Sequence, residues 1–259
     1  MKRFRAVWCL CIAALLCVFA VSSVRADLAI TECSTLVPSG EVGVLQNDLT
    51  SCESVGVLLG KGAGLRLNGH AISGGAWGVY CTERKCTIQG PGQVTGTSIA
   101  AVGTDNGKCK ASLSDVDLQS NAGNGVQLPP YSVLQLRNVS ISGNGKNGIE
   151  LPVGVAKGVK VTIGGNTGNG LVSTKKFLFT QLTMQDNGAP GIVSPFGAGV
   201  LKESTLARNN ANDPSGTMDI ATPKRPKLVE STCERSGIIP ESGIIPGGTD
   251  PGWGVCSGD

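Results

Sequence analysis

Aromatic residues are scarce in this sequence, at 4%, and it holds a single histidine, His70. A carbohydrate site built on ring platforms has little to draw on, since Trp77, Tyr80 and Tyr131 are all that the repeat region can lend outside its core candidates. One histidine supplies one imidazole base candidate. General acid–base work needs a second group within hydrogen-bond reach, and the linear sequence assigns His70 no partner. A basic excess is also missing. Four of the 22 cationic residues (Lys2, Arg3, Arg5, Arg25) and none of the 19 acids fall in the first 26 residues, so the rest of the chain balances 18 cations against 19 acids. That balance leaves no global basic field to recruit nucleic acid.

Residues 1–26 have the layout of an export signal. Lys2, Arg3 and Arg5 form a basic start, Ala6 to Val21 is apolar, and Val24-Arg25-Ala26 supplies small residues at a cleavage position. The apolar run of 16 residues is short of the ~20 that a spanning helix needs. The expectation is a secreted, extracellular or periplasmic chain with no stable membrane insertion after cleavage. Seven of the ten cysteines lie beyond the signal, and disulfides persist in oxidising compartments. Cys33 with Cys52 and Cys233 with Cys256 are the expected staples at the two ends. Among Cys81, Cys86 and Cys109 one is left over, and the 23-residue offset of Cys86 and Cys109 fits neighbouring coils. The cysteine spacings match no Cys/His zinc pattern.

What the sequence has in abundance is glycine, at 38 residues, and a repeated phrase. It reads Asn121-Ala-Gly-Asn-Gly-Val126, Asn144-Gly-Lys-Asn-Gly-Ile149, Asn166-Thr-Gly-Asn-Gly-Leu171 and Asn187-Gly-Ala-Pro-Gly-Ile192. A fixed period near 22 residues means one supersecondary unit stacked on copies of itself. Alternating apolar residues precede each phrase, as in Leu113-Ser-Asp-Val-Asp-Leu118 and Leu136-Arg-Asn-Val-Ser-Ile141, the pattern of half-buried strands. The predicted fold is therefore all-β, a single-stranded right-handed parallel β-helix of about seven to eight coils with ~22-residue rungs. The recurring Asn121, Asn144, Asn166, Asn187 and Asn209 read as turn residues whose amides stack along the axis.

The chain divides into the signal peptide 1–26, an N-terminal cap 27–55, the parallel β-helix 56–212, and a Pro/Gly-rich, disulfide-looped tail 213–259. Two polar columns recur outward. One runs through Asp117, Ser140, Thr162, Thr183 and Thr205, the other through Asp115, Asn138, Lys160, Gln181 and Glu203. They are expected to share the exterior face of one parallel sheet.

The segment Leu65-Arg-Leu-Asn-Gly-His-Ala-Ile-Ser-Gly74 resembles a signature of bacterial secreted right-handed parallel β-helix repeat proteins of the pectin-lyase-like superfamily, and Asp48-Leu-Thr-Ser-Cys52 is similar to the strand that precedes it there. The resemblance covers about Cys33 to Asn210 and implies the fold. It does not specify an activity, because the wider group includes lyases, hydrolases, epimerases and proteins with no assigned chemistry. Arg66 stands where the pattern usually has Asp. The acidic motifs of polygalacturonase-like enzymes and the Asp-Pro-His segment of alginate epimerases are absent.

The functional expectation is a non-catalytic solenoid of the surface or periplasm that binds polysaccharide through Asp115, Asp117, Asn138, Lys160 and Gln181. The alternative is a small lyase or epimerase for acidic glycans, with Asp117, Arg137 and Lys160 as its catalytic candidates. No cofactor or metal centre is expected. Ca²⁺ is the one candidate ion, on Asp115 and Asp117, although calcium prefers six to eight oxygens.

Overall fold

The computed structural model describes residues 27–173, 175–195, 197, 199–212, 218–239 and 252–259; the signal segment 1–26 lies outside them. Regular structure among these residues is strand, paired in parallel. No helix among them is long and apolar enough to cross a membrane.

One turn of the solenoid shows how the sequence pattern becomes a coil. Lys110–Ser114 and Asp117–Gln119 meet at a corner, and Asn124–Gln127 turns away to form the third side. In the next turns the first two strands run through the corner unbroken, as Val133–Ser142, Val155–Gly164 and Lys176–Gln185. These two sides make up a 15-stranded sheet, and the third side forms a separate 10-stranded one. Each side sends alternate residues inward. Leu65, Ile88, Leu113 and Leu136 stack from the first side, and Ile72, Val94, Leu118, Ile141 and Ile163 from the second. Val57, Val79, Val102, Val126 and Ile149 complete the core from the third. Burial of these columns against their own copies is the main favourable term, because no single coil can bury its inner face alone.

The outward columns hold their register as well. Asp117 lies opposite Ser140, Ser140 opposite Thr162, Thr162 opposite Thr183, and Thr183 opposite Thr205. The asparagine ladder is continuous. Asn121, Asn144, Asn166 and Asn187 each donate a side-chain N–H to the next carbonyl oxygen at 2.7–2.9 Å. Thr97 caps one end and Asp219 the other.

The ladder extends past the bounds 56–212 at both ends. Thr35–Val37 already pairs with Val55–Leu59, and Ile220–Thr222 and Ser236–Ile238 continue the 10-stranded sheet. Pro223 and Pro226 fall just after and just before strands, where no ladder N–H is lost.

Both end staples form, Cys33–Cys52 and Cys233–Cys256. The middle pair is Cys81–Cys86, which corrects the expected pairing of Cys86 with Cys109. Lys85 sits opposite Lys110, so these two coils are offset by 25 residues and Cys86 faces Ala111. The Thr104–Lys108 insertion lengthens the coil and takes Cys109 out of register. Cys109 is left as a buried free thiol whose pKa burial pushes up to about 11. Its sulfur lies within 4.8 Å of those of Cys81 and Cys86.

Candidate functional site

The two outward columns differ in backbone conformation. Asp115, Asn138, Lys160, Gln181 and Glu203 all have positive φ, between 48° and 58°. A left-handed residue between two strands bends the chain and makes two successive side chains point outward, here Ser114 and Asp115, before Val116 turns in. The column is thus a ridge at a corner, not a row on the same sheet face as Asp117. Strict alternation of side chains holds only within an uninterrupted strand, and the corner interrupts it.

Beside this ridge an open groove of about 430 Å³ is lined by Asp115, Asp117, Asn138, Ser140, Lys160 and Thr162, with Pro91 at its edge. Asn138 donates from Nδ2 to Asp115 Oδ1 at 2.8 Å, which ties the corners of adjacent coils. Asp117 and Lys160 therefore share a groove. Arg137 is not in its lining: it stands in register with Ser114 and Val159 across the ridge. Gln181 also lies outside it and donates to Glu203 at 3.0 Å. The three-residue catalytic constellation is split between two faces. For a calcium ion the groove offers two carboxylates, one of them already accepting an amide.

His70 has an acid partner that the linear sequence did not assign. Its Nδ1 lies 3.2 Å from Asp48 Oδ1, which also accepts the Ala71 N–H at 2.9 Å. The backbone bond from Ala71, then the bond to His70, hold the Asp48 carboxyl below the usual carboxylate range. The two residues are 22 apart, one coil, so the repeat period was the signal that could have paired them. The pair braces one corner against the next and lies outside the groove.

The aromatics are mostly committed elsewhere. Trp77 is buried and packs edge-on against Tyr80. The Tyr80 hydroxyl donates to Asp105 and accepts from Asn106 Nδ2, anchoring the Thr104–Lys108 insertion. Tyr131 is exposed, with Lys108 Nζ 5.5 Å from its ring centroid.

No protein-family profile and no curated protein matches the chain. Among solved structures it is similar to full-length tailspike protein 2 of an Escherichia coli O157:H7 bacteriophage. That likeness has a TM-score of 0.54 at 12% identity and covers 82% of this chain and 35% of the other. The bacteriophage CBA120 tailspike protein 2 enzymatically active domain matches at the same TM-score and identity, with 39% of its length covered. The chain thus spans well under half of the structures it resembles, and at this identity the likeness is one of fold.

Proposed function

We propose that this chain is an exported β-solenoid that binds an extended polysaccharide on its outer face without cleaving it. The observation that supports the reading is the groove beside the corner ridge. Hydroxyls and a carboxylate from Asp117, Ser140, Thr162, Thr183 and Thr205 stand in register along the axis, one per ~4.8 Å. Such a row offers a polymer the same hydrogen-bonding groups at every coil, and Asp115, Asn138 and Lys160 add charge and amide contacts at its side. The three disulfides suit an extracellular setting.

The tailspike domain that shares the fold is an enzymatically active domain, which motivates a second reading as a lyase or epimerase for acidic glycans. The ridge, which carries Lys160, stands between Arg137 and Asp117, and that separation favours binding alone. A glycan array tests the reading, with binding expected to fall about a hundredfold or more in Asp117→Ala/Lys160→Ala, each lost charged contact removing about 1.5–3 kcal/mol. Mixing the chain with alginate, pectate or hyaluronan is expected to yield no unsaturated-uronate absorbance. Release of such products, abolished by Lys160→Ala, would overturn the non-catalytic assignment.

A further inference from the structure

Across the ridge from the groove, the first side of the solenoid carries a different chemistry. Lys85 stands directly opposite Lys110, and Val133, Val155 and Lys176 continue that line. The next outward line holds Gln135, Lys157, Leu178, Val200 and Lys227. The third holds Ser114, Arg137, Val159, Thr180 and Lys202. No Asp or Glu occupies an outward position of these described strands. Beyond the signal the chain has 18 cations against 19 acids, so this face is positive by segregation and not by composition. On the bordering ridge two acids are held by amides, where Asp115 accepts from Asn138 and Glu203 from Gln181. Like charges directly opposed on neighbouring strands, as in Lys85 and Lys110, destabilise the empty face and are relieved by an anion.

The same face holds a shallow groove of about 330 Å³. Its outward lining combines the apolar Val159, Leu178 and Val200 with Gln135, Thr180, Lys157 and Lys202. Val159 is 47% exposed. Gly158 lies beneath this lining on the inward side of the strand, in register with Leu136 and Phe179, where a Cβ would come within 2.6 Å of the Phe179 ring. An apolar strip between cations matches a polymer of rings that have apolar faces and anionic edges. None of these outward positions is aromatic, so nucleobases have no stacking platform.

We infer that this face binds a linear acidic polysaccharide, with ring faces on Val159, Leu178 and Val200 and carboxylates on Lys157, Lys202 and Arg137. The inference rests on the polysaccharide-binding reading and adds to it a second strip that selects for negative charge. Immobilised polygalacturonate, dextran sulfate, neutral dextran and duplex DNA are the probes, used with the full exported chain. Polygalacturonate is expected to bind, neutral dextran not to, and the affinity to fall about tenfold between ~0.05 and ~0.3 M salt as screening shortens the reach of the lysines. Lys157→Glu/Lys202→Glu should weaken polygalacturonate by about tenfold or more with an unchanged unfolding midpoint. Lys157→Arg/Lys202→Arg should retain it.

Full binding by the Glu variant, or insensitivity to salt, overturns the inference. So does equal or tighter binding of duplex DNA or dextran sulfate, which would mark a general polyanion surface. If the array yields neutral glycans only, the second strip is refuted and the polysaccharide reading stands. If no glycan binds at all, both fall.

Discussion

At the scale of single residues the structure is stabilised by repetition of polar contacts that would be costly if unmatched. Asn166 accepts from Asn144 Nδ2 at 2.8 Å and donates to Asn187 Oδ1 at 2.9 Å, while the Asn144 backbone N–H also reaches its oxygen. All these groups are buried. Asn166→Ala removes the acceptor of the Asn144 backbone and side-chain N–H groups and the amide donor to Asn187, all buried, and the expected loss is about 1–3 kcal/mol, measured by urea unfolding. Surface hydrogen bonds such as Gln181 to Glu203 lack this leverage because water replaces either partner. The ladder was legible in the sequence as a recurring Asn. Its termination by Thr97 and Asp219 was not, since neither residue belongs to the repeated phrase.

At the scale of the element, the left-handed corner decides what the outer surface can do. It turns one continuous face into two, placing Asp117 on one side and Arg137 on the other, with Lys160 on the ridge between them. Asn and Asp tolerate this conformation best and β-branched residues worst, which fits the occupants Asp115, Asn138, Lys160, Gln181 and Glu203. Gln181→Val adds β-branching in a conformation that disfavours it and is therefore expected to destabilise by on the order of 1 kcal/mol. Gln181→Gly, free of the Cβ clash, should change stability by less than about 1 kcal/mol. Thermal unfolding of the two variants side by side checks this, and equal losses would show that the corner does not discriminate against β-branching. Alternation of apolar and polar residues is a property of straight strands, so the sequence pattern counted Asp115 and Asp117 on one face and could not register the bend between them.

At the scale of the whole molecule, the open end of a solenoid needs a cover, because its last strands present unpaired backbone groups. The C-terminal segment provides one. Asp259 accepts the Ser236 backbone and hydroxyl groups together with the N–H groups of Val255 and Cys256. The Trp253 indole donates to Thr222 at 3.1 Å, and Cys256 is bonded to Cys233. Partial burial raises the Asp259 pKa, but the hydrogen bonds outweigh it and hold the carboxyl below its ordinary value of 3.8. A depressed folded-state pKa contributes stability above the unfolded value, and this is lost as pH falls through the folded one. Wild type should thus unfold at a higher temperature than Asp259→Asn at pH 7, and the gap should narrow below about pH 4. A gap independent of pH would assign the cover to the disulfide and Trp253 instead.

The sequence alone determined the stacked-coil architecture, the inward apolar columns and the outward Asp117 to Thr205 register. The physical reason is that in a solenoid lateral neighbours are one period apart, so spacing along the chain reports adjacency across it. The same logic would have paired His70 with Asp48. Only the tertiary structure decided the corner, the union of Cys81 with Cys86, and the segregation of cations on the first side. These depend on the φ of one residue per coil and on a loop insertion that shifts one coil's register by a few residues, neither of which a periodic pattern carries.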